Sequence, residues 1–251
     1  MTNDIKFMRI VIIIPTYNES KTIAGLIDAI ELEFKKIANH QLSILVVDGN
    51  SPDGTAAAVR AKMPVYKNIE LLIEKEKRGL GMAYISGMKY AVEKMGAGAF
   101  IEFDGDFQHD PKDIRRLIQE LDNGYDYVIG SRYVPGGSVP KEWGWHRKFL
   151  SKFGSLYIKY ALGLPTHDNT SGLKLTRVQG FFSQLSLDEN RILSKRNAYK
   201  VHLLYEMIRL GAKVKEMPIR FLERGGGTSK SSLEDIKESL KVVWFLFWQK
   251  R

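Results

Sequence analysis

Short runs of β-branched and other apolar residues recur along the chain, each followed by a longer segment whose apolar positions fall three and four apart. Arg9–Ile14, Leu42–Val47, Ile69–Glu74, Ala99–Phe103 and Tyr127–Gly130 read as strands, each ending in a polar or glycine-rich turn. Helical period lies between them at Lys21–Ile37, Thr55–Ala61, Gly81–Met95 and Pro111–Asp122, the last with proline in its first turn and Asp110 as N-cap. Alternation of this kind predicts an α/β fold: a mostly parallel central sheet with helices on both faces. Ligands in such sheets sit at the carboxyl ends of the strands, so the chemistry is expected in the loops after Ile14, Val47, Phe103 and Gly130.

Beyond Arg132 the pattern changes. A loop with paired glycines, Val134–Pro140, leads into a basic, aromatic stretch from Trp143 to Leu162. A short strand near Gly172–Thr176, a helix at Tyr199–Leu210, a strand at Lys213–Phe221, the loop Glu223–Lys230 and a final helix from Leu233 follow. With no internal repeat or low-complexity linker, the chain reads as one domain: a nucleotide-binding half to about residue 132, an acceptor half from about 133 to 232, and an amphipathic helix over 233–251.

The 251 residues are 44% hydrophobic and carry charges of both signs, which excludes disordered and collagen-like classes. Absence of cysteine removes thiolate nucleophiles and Cys-based zinc sites, and it fits a reducing cytosol. The opening residues lack the pattern of a signal peptide. No segment reaches the roughly 20 apolar residues of a membrane span, and the run Val242–Trp248 suits an interfacial helix better. A net charge of +9 favours anionic partners, among them nucleotide sugars and membrane surfaces, while the Lys and Arg residues are too dispersed for a nucleic-acid module.

The most informative segment is Phe103-Asp104-Gly105-Asp106-Phe107-Gln108-His109-Asp110-Pro111. Asp104, Asp106 and Gln108 recur at spacing two after a strand, a hard oxygen set suited to Mg²⁺ or Mn²⁺ bridging a diphosphate. His109 is expected to pack or cap rather than ligate. After the first strand, Tyr17 and Glu19 stand where a base and ribose could be held, although for this segment alone a strand-to-helix turn capped by Ser20 is the better account. Asp48 ends the second strand, where an acid commonly takes a ribose hydroxyl, and Asp53-Gly54-Thr55 reads as a structural turn. Among the basic groups, Arg132 follows the fifth strand, Arg147 and Ser151 share one helical face, and Arg224 and Lys230 flank three glycines. Together they suggest one phosphate site for a leaving diphosphate and another for a second phosphorylated molecule. Phe149, Phe153, Leu156 and Tyr160 form a stripe that fits either a core-facing helix or one lying in a membrane interface.

The ordered series Ile13-Ile14-Pro15-Thr16-Tyr17-Asn18-Glu19, Val47-Asp48-Gly49-Asn50-Ser51-Pro52-Asp53-Gly54-Thr55, Lys77-Arg78-Gly79-Leu80-Gly81, Asp104 to Pro111 and Gly130-Ser131-Arg132-Tyr133 resembles the dolichol-phosphate mannosyltransferases, family-2 glycosyltransferases with the GT-A fold. The resemblance continues through Asp168-Asn169-Thr170-Ser171-Gly172, Tyr199-Lys200 and Arg224 to Lys230. It implies inverting transfer of mannose from GDP-mannose to a dolichyl or polyprenyl phosphate, on the cytoplasmic face of a membrane, with or without a small anchoring partner. It places metal and donor diphosphate on Asp104, Asp106 and Gln108, nucleotide contacts on Pro15, Tyr17, Glu19, Asp48, Arg224 and Lys230, and the lipid phosphate on Arg132, Arg147 and Ser151. Asp104, Asp106 and Arg132 then carry the catalytic work. Gly49 departs from the family, which usually has a second acid there, so a UDP-sugar donor is the rival within enzymes. A non-catalytic nucleotide or anionic-lipid binder is the rival outside them. Because a phosphate monoester is largely ionised at pH 7, no essential catalytic base is expected.

Overall fold

The computed structural model describes residues 7–223 and 233–249. Its elements alternate as the pattern predicts: β1 (Arg9–Thr16), α1 (Ile23–Phe34), β2 (Gln41–Asp48), α2 (Thr55–Lys62), β3 (Ile69–Ile73), α3 (Leu80–Glu93), β4 (Ala99–Glu102), α4 (Lys112–Asp122) and β5 (Tyr127–Ser131). Then come α5 (Trp145–Leu162), β6 (Lys174–Arg177), α6 (Tyr199–Arg209), β7 (Val214–Pro218) and α7 (Leu233–Gln249). The strands form one seven-stranded sheet in the order β3-β2-β1-β4-β6-β5-β7, parallel except where β6 runs antiparallel to both β4 and β5.

Alternation along the central strands divides the core. Ile10, Ile12, Ile14, Ile44 and Val46 face α1 and α4, whereas Val11, Ile13, Leu45 and Val47 face α3 and α6. With both faces covered, β1 and β2 are apolar at almost every position, and truncating one such isoleucine to alanine costs about 2–5 kcal/mol.

The wedge of β6 between β4 and β5 is the one topological feature that the spacing did not announce. It carries the loop 168–172 to the carboxyl ends of β4 and β5, beside residues 103–111. At the first turn, α1 begins after Thr22 rather than at a Ser20 cap. At α4 the N-cap is Pro111 and not Asp110, which stands one residue earlier and accepts the Lys112 amide at 3.0 Å. Among the described residues no helix is long and apolar enough to cross a membrane.

Candidate active site

The segment after β4 turns sharply because Phe107 adopts φ 61°, a left-handed conformation unusual for a bulky residue. The turn sends the Phe107 ring against the α1 side of the core and brings the Gln108 amide back to Asp106 Oδ1 at 3.0 Å. Asp104, Asp106 and Gln108 thereby line one cavity of about 1530 Å³. The Gln108 Nε2 donates to the Leu222 carbonyl at 3.3 Å, which leaves Oε1 as its acceptor.

Asp104 is held on both oxygens. Tyr84, fully buried on α3, donates its hydroxyl to Oδ1 at 2.8 Å. His109 Nε2 lies 3.5 Å from Oδ2, and the Lys200 ammonium sits on the same side. Burial pushes the Asp104 pKa up, yet the Lys200 charge, then His109 and the Tyr84 hydroxyl, hold it below the usual carboxylate range. Gly172 closes this side: a Cβ there would stand 2.4 Å from Asp104 Oδ2 and 3.1 Å from both His109 Nε2 and Lys200 Nζ. Beneath, Tyr84 stacks on Tyr199 at 5.5 Å, Tyr199 donates to the buried Glu102, and Lys174 donates to the Lys200 carbonyl at 3.3 Å. Burial holds Lys174 down to about 8, against the opposing charge of Glu102.

Of the basic groups, Arg132 is fastened from behind by Asp168, which takes Nε and Nη2 at 2.7 Å each and the Arg132 amide at 2.9 Å. Thr170 accepts a further bond from Nη2 at 2.9 Å. Arg132 reaches the cavity wall with Arg147 and Ser151, the latter accepting the Tyr133 hydroxyl at 2.5 Å. Arg224 and Lys230 lie outside the described residues.

At the end of the cavity next to β1, Pro15, Tyr17 and Glu19 form the lining, with Lys77 Nζ 4.0 Å above the Tyr17 ring. Asp48 is turned into the fold, 1% exposed; Thr16 and Ser51 hydroxyls donate to Oδ1 and the Ser51 amide to Oδ2 at 2.9 Å. It holds the turn, and Gly49 beside it supplies the cavity wall. Asp53 is structural, as its context implies: it accepts the Ser20 and Thr55 amides at 3.0 Å each.

The other end of the cavity is apolar. Beyond Arg147 it passes between α5 and α7, walled by Leu150, Phe153, Tyr157, Ile158, Leu240 and Val243. The outer faces of these helices expose Trp145, Phe149, Phe153, Tyr160, Trp244 and Trp248, each more than half accessible. Phe149, Phe153 and Tyr160 are thus not core residues, because α5 buries the neighbouring stripe Ser155, Ile158 and Leu162.

No cluster of three or more His, Asp or Glu side chains able to hold a metal occurs among the described residues. The donor set nevertheless suits a divalent cation: two carboxylates and one amide oxygen at a cavity wall leave the remaining positions of an oxygen shell to phosphate. Among the described residues the Nδ1 of the buried His109 has no hydrogen-bond partner, and its Nε2 has the 3.5 Å approach to Asp104 Oδ2.

Comparison with known proteins gives four matches. The model for "Glycosyl transferase family 2" matches residues 11–182. The polyprenol monophosphomannose synthase of Mycolicibacterium smegmatis is 36% identical over 236 residues, 94% of this chain and 85% of that protein. The dolichol-phosphate mannosyltransferase of Pyrococcus furiosus is 33% identical over 248 residues, 96% of this chain and 65% of that protein. Among solved structures, glucosyl-3-phosphoglycerate synthase from Mycobacterium tuberculosis, in complex with Mn²⁺, UDP-glucose and phosphoglyceric acid, superimposes with a TM-score of 0.66 at 14% identity, covering 96% of this chain and 79% of that one.

Proposed function

The chain belongs to glycosyl transferase family 2, and from that premise we propose that it moves mannose from GDP-mannose to a polyprenyl phosphate at a membrane surface. Its fold is the GT-A fold, and it is a glycosyltransferase. The single observation that carries the acceptor is the continuity of the cavity: a polar end with Asp104, Asp106 and Arg132 runs into an apolar corridor between α5 and α7. A small soluble acceptor would need the arginines and not the corridor. An isoprenoid phosphate needs both, and the names of the polyprenol and dolichol relatives support the same class.

In this reading Tyr17 and Glu19 take the nucleoside, with Pro15 and Gly49 as floor and Asp48 fixing the turn beneath it. Arg224 and Lys230 are assigned to the donor on the resemblance alone. Asp104, Asp106 and Gln108 would hold Mg²⁺ or Mn²⁺, whose charge assists departure of the diphosphate. Lys200, which the sequence reading left without a role, adds a fixed positive charge at the same place. Arg132, Arg147 and Ser151 orient the acceptor phosphate for attack on the sugar from the opposite side, which inverts the anomeric carbon. Asp168 is fully buried, and the Arg132 charge overcomes burial to keep its pKa low, so it is a counter-ion and not a base. The ionised phosphate needs none.

Exposed aromatics on α5 and α7 flank the mouth of the corridor, with Lys148, Lys152 and Lys241 alongside. An apolar patch of this kind, edged by basic residues, suits the interface of an anionic bilayer, and in this reading the corridor opens toward its acyl chains; the cytoplasmic face is assigned on the resemblance alone. Transfer of labelled sugar from GDP-mannose into organic-extractable polyprenyl phosphate tests the proposal. Label dependent on both substrates supports it, and label in a water-soluble phosphate ester alone overturns it.

A further inference from the structure

Asp168, Asn169 and Thr170 face two ways. Asp168 and Thr170 take the Arg132 guanidinium, whereas Asn169 between them turns to α5. Its backbone amide donates to the Ser155 hydroxyl at 2.7 Å and its Nδ2 to the Ser155 carbonyl at 2.9 Å, while Thr166 donates its hydroxyl to Oδ1. Asn169 and Ser155 are both fully buried, so a bond lost here leaves a polar group unpaired and out of reach of solvent. The tie sits where α5 needs one. The helix buries only Ser155, Ile158 and Leu162, and residues 145–154 contribute no buried side chain. Ser151 lies four positions before Ser155, on the same helical face, and there it accepts the Tyr133 hydroxyl at 2.5 Å. Thus α5 is fastened twice to the segments that carry and lock Arg132. It supplies Ser151 to the polar part of the cavity and Leu150, Phe153, Tyr157 and Ile158 to the apolar part.

We infer that Asn169 is a positioning residue for the acceptor: it sets α5 against the Arg132–Asp168 pair, and so fixes the width of the corridor and the place of Ser151 at its polar end. The inference rests on the acceptor reading above. Neither Asn169 nor Ser155 lines the cavity, so an effect on substrate has to pass through the elements they join. The tie is specific for an amide. Oδ1 is the acceptor for Thr166 and Nδ2 the donor to a carbonyl, so an aspartate of the same shape would set a carboxylate oxygen against the Ser155 carbonyl.

The test compares Asn169→Asp, Ser155→Ala and their combination, read as farnesyl phosphate binding by calorimetry in the presence of GDP and Mg²⁺, with acceptor and donor KM measured in parallel well below each Tm. Asn169→Asp is expected to weaken farnesyl phosphate and raise acceptor KM about tenfold, and Ser155→Ala about threefold, with GDP binding and donor KM within about twofold of wild type. Because both changes loosen one tie, the double variant should fall short of the product of the two effects. The chain has no cysteine, so spin labels at Lys152→Cys on α5 and Arg115→Cys on α4 report the helix position directly. Their distance distribution should broaden in Ser155→Ala and broaden further in Asn169→Asp. An acceptor KM that stays at the wild-type value while Tm falls, an equal rise in donor KM, or an unmoved label distance overturns the inference and leaves the acceptor reading intact. If Asn169→Asp does not fold, Ser155→Ala decides between these outcomes. A wild-type protein that binds no farnesyl phosphate and transfers no sugar to polyprenyl phosphate overturns both.

Discussion

Asp168 holds the Arg132 guanidinium side-on, with two bonds of 2.7 Å and a third from the Arg132 amide, and neither side chain exceeds 9% exposure. Removing one partner leaves a buried charge unpaired, which typically costs about 3–5 kcal/mol. Asp168→Ala is therefore expected to lower Tm by on the order of 10 °C in a chain of this size, measured by thermal denaturation. Because the folded pKa of Asp168 lies below its unfolded value, its contribution is fully present above about pH 4 and is lost as pH falls through the folded value. The Tm gap between wild type and Asp168→Asn should thus stay constant from about pH 8 to 5 and close only in stronger acid. A gap that closes near neutrality would contradict the assignment.

Gly172 has no room for a side chain. Its Cβ would stand 2.4 Å from Asp104 Oδ2, which the Tyr84 hydroxyl holds through the other oxygen, and between the buried His109 and Lys200. Gly172→Ala is expected to cut turnover at least a hundredfold and to weaken Mn²⁺ binding in the presence of GDP, while circular dichroism still reports a folded chain. Turnover within threefold of wild type would show that Asp104 need not keep its observed orientation.

Tyr84 fixes only one oxygen of Asp104, through one hydrogen bond in a buried setting. Losing such a bond to a charged group is worth about 1.5–3 kcal/mol. Tyr84→Phe should therefore lower metal affinity by about ten- to a hundredfold, less than the loss in Asp104→Asn. Metal titration by Mn²⁺ electron paramagnetic resonance distinguishes the two. Equal behaviour of Tyr84→Phe and wild type would remove Tyr84 from the site.

The pH dependence of turnover should belong to the acceptor. Asp104 stays ionised across the neutral range, and Asp168 offers no proton acceptor. The second ionisation of a phosphate monoester, near pH 6, remains. Acceptor kcat/KM is expected to rise through about pH 6 and then level off. Replacing the phosphate by a phosphonate, which is more basic, should move that limb upward; a limb that stays in place would mean that a protein group titrates instead.

On the exposed faces, Phe149, Phe153 and Trp244 contribute little to folding because they are already solvent-accessible. Substituting all three by serine should leave Tm within about 2 °C, yet reduce co-sedimentation with anionic vesicles about tenfold. Retention of full vesicle binding would move the membrane contact elsewhere.

Much of this was legible in the residues. Near-continuous apolar strands and helical spacing locate β1 to β5 within a residue or two, and the acids at spacing two after β4 do converge on one cavity with Gln108. What was not legible depended on tertiary approach. The antiparallel insertion of β6 brings Gly172, and the start of α6 brings Lys200, against Asp104, and no local pattern around either residue records that neighbour. Asp48 ends its strand as an exposed ligand would, yet Thr16 and Ser51 turn it inward. The stripe of Phe149 and Phe153 had the right spacing for burial; it stays exposed because the sheet side of α5 is taken by Ser155, Ile158 and Leu162.

The account turns on one substrate pair. Transfer of radiolabelled mannose from GDP-mannose to polyprenyl phosphate, with and without Mg²⁺ and with UDP-glucose as competing donor, measures it directly. The predicted result is label in the organic phase that needs GDP-mannose, polyprenyl phosphate and the divalent cation together, and that falls at least a hundredfold in Asp106→Asn. Label from UDP-glucose in preference to GDP-mannose, or no lipid-linked label despite measurable nucleotide binding, would contradict it.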